Sequence, residues 1–162
     1  MIKPLSAIAL LFLLGISGCQ SPGRPGEVSQ ISDGDTLTVQ QDGTAIKIRL
    51  ACIDAPELGQ KPWGERARGV LGVMAPVGSE VTVESFERDR YGRTVATVWR
   101  EGQSVNLEMV RRGWAMVYRQ HLRNCDASAY FAAETAARRD RIGYWQAGRN
   151  PQPPWEWRRR QR

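Results

Sequence analysis

Histidine is almost absent. The 162-residue chain has one, His121, which excludes a zinc site built from several histidines. Cysteine is scarce as well. Cys19, Cys52 and Cys125 form no C-x-x-C pair, so a structural zinc module is not expected. There is no Gly-rich phosphate loop of the Walker or dinucleotide type, and no internal repeat. What is present reads as globular: 41% hydrophobic residues, 25% charged and six Trp. That composition and length suit one domain around one core, not a disordered chain or two domains. Lys and Arg number 23 against 17 Asp and Glu, a net charge of +6. Such a charge attracts polyanions, whether nucleic acid or anionic lipid headgroups.

The beginning of the chain reads as an export signal over 1–18. Lys3 is followed by a nearly unbroken apolar stretch from Leu5 to Leu14, too short to span a bilayer comfortably. Leu14-Gly15-Ile16-Ser17-Gly18-Cys19 resembles a bacterial lipoprotein box, in which Cys19 becomes the lipidated first residue. The alternative is an ordinary secretory signal with an incidental cysteine. Gln20 follows, not Asp; by resemblance this favours the outer membrane facing the periplasm, with the cell surface as the alternative. Residues 19–26 are then the lipidated Cys and a flexible tether. Losing 1–18 removes only Lys3 among the charges and leaves a net +5. Two thiols would remain in an exported protein, and Cys52 and Cys125 are expected to pair. The chain-entropy model gives about 4–5 kcal/mol for a loop of that length. Two buried, unpaired thiols are the alternative.

Within 27–149 the pattern predicts strands over 28–31, 36–40, 45–50, 80–86 and 94–99. Asp42-Gly43 lies between two strand-like runs, a two-residue hairpin signal. Ile46, Ile48 and Leu50 share one strand face, with Lys47 and Arg49 on the other. Apolar residues at helical spacing predict helices over 65–74 and 105–112, the second stopped by Gly113. An Ala-rich third helix spans 128–142, with Asp126 or Ser128 as its N-cap. Five short strands and three helices suggest a mainly β, α+β domain with a small, partly closed barrel.

Three short segments carry the chemistry: Ser32-Asp33-Gly34-Asp35-Thr36, Arg49-Leu50-Ala51-Cys52-Ile53-Asp54-Ala55-Pro56-Glu57, and Asp89-Arg90-Tyr91-Gly92-Arg93. Each alone is an ordinary turn or loop. Together they supply carboxylates from two loops, which can hold a hard cation through oxygen. A further carboxylate can orient or deprotonate an attacking water. Two arginines can neutralise a pentacoordinate phosphate. Those are the needs of phosphodiester hydrolysis.

The chain resembles the staphylococcal nuclease (thermonuclease) family over roughly 27–145. The matching stretches are Asp-Gly-Asp-Thr at 33–36, Arg-Leu at 49–50, Ile-Asp-Ala-Pro-Glu at 53–57 and Tyr-Gly-Arg at 91–93. Val-Asn-Leu-Glu-Met-Val-Arg-Arg-Gly at 105–113 and Gly-Tyr-Trp at 143–145 complete the series. The resemblance implies a five-stranded OB-type barrel with three helices. It implies Asp35 and Asp54 as direct calcium ligands, the Ala55 backbone carbonyl as another, and Asp33 as support through water. Ala55 stands where a Thr is frequent, which keeps the carbonyl and loses a hydroxyl. Glu57 matches the proposed general base, and Arg49 and Arg93 the arginines on the scissile phosphate. Arg90, Tyr91 and Tyr118 fall at or near substrate-contacting positions, Arg90 in place of a frequent Lys. The implied reaction is calcium-dependent hydrolysis of DNA or RNA leaving 3′-phosphate; oxygen ligands alone would also admit magnesium or manganese.

Other features read plainly. His121 is expected in a loop or at the surface, and Arg138-Arg139-Asp140-Arg141 on a solvated helix face. Residues 150–162 form a Pro-, Trp- and Arg-rich basic tail. Its Trp residues either pack on the domain with the basic end solvated, or help grip nucleic acid by stacking. The alternative function is a non-catalytic OB-type nucleic-acid-binding envelope lipoprotein. No dimerisation motif stands out, and a monomer is expected.

Overall fold

The structure, a computed structural model, describes residues 23–148 and 150–161. The export signal and the lipidation site at Cys19 lie outside the described residues. Strand β1 (Arg24–Ile31) begins inside the stretch read as tether, because Arg24 to Glu27 pair with Val83 to Glu80 of β5 (Glu80–Arg88). Strand β2 (Thr36–Gln41) and β3 (Thr44–Leu50) form the expected hairpin. Asp42 and Gly43 both take positive φ, 48° and 76°, as a turn matched to strand twist requires. β6 (Thr94–Arg100) pairs with β5, and also runs parallel to β3. That last pairing closes a five-stranded barrel. Leu37, Val39, Ile48, Leu50, Val81, Val83, Ala96 and Val98 alternate into its interior and are buried.

Helix α1 (Trp63–Met74) buries Ala67 and Leu71. A short strand β7 (Gln103–Ser104) leads into α2 (Val105–Arg111), capped by the Ser104 hydroxyl, which accepts from Leu107 N–H. β4 (Ile53–Asp54) pairs with β8 (Met116–Val117) as a separate two-stranded ribbon. α3 (Ala127–Arg139) is capped by Asp126, one of the two expected caps. Asn106 of α2 is fully buried. Its Oδ1 accepts from Val98 N–H at 3.0 Å, and its Nδ2 donates to the carbonyls of Ala51 at 3.1 Å and Ala96 at 3.0 Å. This one amide ties α2 to β6 and to the turn after β3. Cys52 and Cys125 are disulfide-bonded across 73 residues, joining that same turn to the loop before α3.

The structure has a fourth helix, α4 (Pro154–Arg160), where the sequence predicts only a Pro-, Trp- and Arg-rich tail and three helices in all. The prolines explain the difference. Pro154 occupies the first turn, where a missing N–H costs nothing and a fixed φ favours the helix.

Candidate active site

The strand pairings bring the three chemical segments together. Thr36 is opposite Arg49 in the β2–β3 ladder, which places Asp35 beside Arg49. The parallel β3–β6 pairing sets Ile48 against Thr94, and so brings Arg93 to the same end of the barrel. Asp35 N–H donates to Asp33 Oδ1 at 3.0 Å, folding the acidic turn on itself. Gly34 is needed inside that turn. A Cβ there would lie 2.7 Å from the Cβ atoms of both Ala55 and Ala67.

Asp35 and Asp54 converge on Arg49. Arg49 Nη1 donates to the carbonyls of Leu50 at 2.8 Å and Ile53 at 2.9 Å, which fixes the guanidinium. Its Nη2 donates to Asp54 Oδ1 at 2.9 Å and lies 3.3 Å from Asp35 Oδ2. The Ala55 N–H donates to that same Asp35 oxygen at 2.8 Å. Asp54 has no exposed surface. Burial, opposed by the Arg158 hydrogen bonds and reinforced by Asp35, pushes its carboxyl up to about 6. Burial and the neighbouring Asp35 likewise push Asp33 up to about 6. Buried anions held this close stabilise one another poorly and bind a cation well. The donor set is all oxygen, which suits a hard cation such as calcium. Among the described residues no three His, Cys, Asp or Glu side chains meet as a metal cluster. Two direct carboxylates, the backbone and water would therefore have to share the coordination.

Glu57 lies on the loop before α1, with its N–H donating to Gln60 Oε1 at 2.9 Å. Gln60 is itself anchored, its Nε2 donating to Tyr144 Oη at 2.9 Å. Arg93 is held by Asp89, to which its Nε donates at 2.7 Å. Burial works to raise the Asp89 carboxyl, but its bonds from Arg93 and Tyr91 prevail and hold it below the ordinary value. Arg93 Nη1 reaches Thr36 Oγ1 at 3.4 Å, and that hydroxyl donates to Asp35 Oδ1 at 3.1 Å. Arg93 is thus linked to the carboxylates through one hydroxyl.

Arg90 and Tyr91 are exposed on the same turn, Arg90 donating to Tyr91 Oη at 2.8 Å and the Arg93 guanidinium lying 5.5 Å from the Tyr91 ring centroid. Tyr118 is stacked on Trp155, ring centroids 5.7 Å apart, and flanked by His121 at 4.7 Å. His121 is exposed in a short 3-10 turn. Arg139 pairs with Asp140 on an exposed face, and Arg138 lies over the Trp145 ring.

One residue in the site was not expected. Arg158, from α4, donates from Nη1 to Asp54 Oδ1 at 3.0 Å and to Glu57 Oε1 at 2.5 Å, and from Nη2 to Asp54 Oδ2 at 2.8 Å. Burial opposes its charge, yet the bonds to Asp54 and Glu57 hold the guanidinium protonated more firmly than usual. Its sequence signal was only a basic run beside two tryptophans.

Residues 47–147 match the family described as staphylococcal nuclease homologues. The chain is 40% identical over 164 residues to a micrococcal nuclease of Shigella flexneri, covering 96% of this chain and 92% of that protein. It is 37% identical over 159 residues to an uncharacterized endonuclease of Haemophilus influenzae, covering 98% and 85%. A staphylococcal-like nuclease of Arabidopsis thaliana is 35% identical over 117 residues, 72% of this chain and 34% of that protein. With the barrel, the acidic turn and the paired arginines in place, the chain belongs to the family of staphylococcal nuclease homologues.

Proposed function

We propose that the protein is a calcium-dependent nuclease that hydrolyses DNA or RNA phosphodiesters and leaves 3′-phosphate ends. The observation that carries this reading is the Arg49 guanidinium, which joins Asp35 and Asp54 from two separate loops. Names of relatives, a micrococcal nuclease and endonucleases, support the same chemistry.

Asp35, Asp54 and the Ala55 carbonyl would hold calcium, with Asp33 supporting through water. When bound, calcium supplies Lewis-acid polarisation of the phosphate and a template for it. Glu57, one-third exposed, accepts a hydrogen bond from the attacking water and orients or deprotonates it. Arg49, from β3, and Arg93, from the turn before β6, approach the phosphate and offset charge growing on its equatorial oxygens. Arg49 arrives already oriented by two backbone carbonyls, so little reorganisation is needed. Arg90 and Tyr91, on their exposed turn, and Tyr118 contact the flanking nucleotides. The net positive charge raises the encounter rate with a polyanion. We further propose that the chain is exported as a lipoprotein anchored through Cys19 at the outer membrane, on the strength of the leader sequence, and acts as a monomer, since no dimerisation motif stands out in the sequence.

The test is incubation of the purified protein with single-stranded DNA, duplex DNA and RNA, in calcium, in magnesium and in chelator. Product ends are mapped by mass spectrometry. Calcium-dependent cleavage with 3′-phosphate ends is expected. A folded protein that binds nucleic acid and cuts none of it in any metal would make this a binding module instead.

A further inference from the structure

The C-terminal arm crosses the candidate active site, and its two ends are held by different forces. At its start the contacts are neutral. The Gln152 carbonyl accepts from Tyr144 Oη at 2.7 Å and from Gln60 Nε2 at 3.1 Å, and Pro154 is buried. In the middle, Trp155 stacks on Tyr118 at an interplanar angle of 19°. Trp157 covers Gly59, where a Cβ would lie 2.5 Å from its ring. At the far end the contact is ionic: Arg158 on Asp54 and Glu57. Arg159 beyond it is exposed. α4 has seven residues, too few for a stable helix by itself. Its order therefore depends on these docking contacts.

Arg158 engages both oxygens of Asp54, and Arg49 takes a second place on Oδ1. A calcium ion would need an Asp54 oxygen at about 2.3–2.6 Å. A guanidinium fork and a divalent cation cannot share one carboxylate edge, since both fill the same lone-pair directions and repel each other. We infer that α4 is a built-in strap whose Arg158 competes with the cation for Asp54 and so sets the calcium concentration at which the site opens. The inference rests on the calcium reading above. Linkage makes the competition reciprocal: if the strap weakens cation binding, cation binding must loosen the strap by the same factor. The neutral anchor at Gln152 keeps the arm attached while its ionic end lets go.

The experiment uses the whole chain and calcium alone, without nucleic acid. Calcium affinity is measured by calorimetry for the parent protein, Arg158→Met and Arg158→Lys. Arg158→Met is expected to bind calcium roughly tenfold more tightly, the value of one strong charge-assisted contact. Arg158→Lys keeps the charge without the fork and is expected to fall between the two. Amide hydrogen exchange over 155–160 is read on the parent protein, and calcium is expected to speed it while 143–147 stays unchanged. Equal or weaker calcium affinity in Arg158→Met, or exchange over 155–160 that calcium slows or leaves alone, overturns the strap and leaves the calcium reading standing. If neither the parent nor Arg158→Met binds calcium, both fall together.

Discussion

The first turn of α1 presses on the loop that carries Glu57: a Cβ added to Gly64 would lie 2.0 Å from the Glu57 carbonyl oxygen. That oxygen also accepts from Gln60 N–H at 2.8 Å, so the loop cannot retreat freely. The bare Cα of Gly64 is what lets the helix and the Glu57 loop share this space. Gly64→Ala should destabilise the fold by about 1–3 kcal/mol, as overpacking does. It should also lower cleavage beyond what the lost stability explains, because Glu57 moves. Thermal denaturation beside activity, measured well below the melting midpoint, checks both parts. An alanine variant with the parent's Tm and rate would show that the contact is slack.

Arg49 and Arg93 look equivalent on paper and differ in the fold. Arg49 holds two buried carboxylates, while Arg93 pairs with Asp89 and one hydroxyl. Arg49→Ala is expected to cost about 3–5 kcal/mol, since it strips a partner from buried charge. Arg93→Ala is expected to cost about 1 kcal/mol or less, yet to reduce cleavage by orders of magnitude. Urea unfolding of the two variants separates them; similar losses of stability would refute the distinction.

Asp33 and Asp54 make stability fall with rising pH over a defined window. Both carboxyls are raised from 3.8 to about 6. Above 3.8 the unfolded chain has released these protons while the folded protein retains them. Stability is then lost progressively until about pH 6. Asp33→Asn removes one of the two groups and keeps the oxygen that accepts from Asp35 N–H. In chelator, the variant should show a shallower decline between pH 4 and 6 and a higher Tm at pH 7. A lower Tm than the parent at pH 7 would reverse the sign argued here.

Asn106 replaced by Leu leaves Val98 N–H and the Ala51 carbonyl without this partner in a buried place. The expected cost is on the order of 3 kcal/mol, from unpaired buried polar groups. Amide exchange at Val98 should rise first, since its donor bond is the one lost. Protection there at parental levels would contradict the role given to this amide.

Opening the Cys52–Cys125 bridge relaxes the turn between Arg49 and Asp54. Cys52→Ser with Cys125→Ser should lower stability by about 4–5 kcal/mol on the chain-entropy account. Chemical denaturation of the double variant against the oxidised parent measures it, and a loss under about 1 kcal/mol would argue against that account.

Much of this architecture was legible beforehand because it is encoded locally. The Asp42-Gly43 turn, the alternation of Ile48 and Leu50, and the Asp126 cap each depend on a few adjacent residues and were found as expected. So was the pairing of Cys52 with Cys125. The approach of the acidic turn to Arg49 is set by the β2–β3 register. Asn106 was different. It lay within a quoted motif, but its partners Ala51 and Ala96 are on other elements, and no local pattern names them. Gly34 lies in a turn and Gly64 just before the helix expected over 65–74, and neither stood out until the neighbours crowding them were in view.

The sequence alone determined the five barrel strands, three of the helices, and the chemical identities of Asp33, Asp35, Asp54, Glu57, Arg49 and Arg93. These follow from short-range periodicity, turn chemistry and side-chain type. Only the tertiary structure decided that Pro153 and Pro154 begin a helix, and that this helix carries Arg158 onto Asp54 and Glu57, 104 and 101 residues away in the chain. The reason is physical. A seven-residue helix has too little internal stability to announce itself, and a charge pair across such a separation leaves no periodic trace. It exists because Gln60, Tyr144 and Tyr118 form a dock for the arm, and the buried carboxylates draw in the arginine at its end.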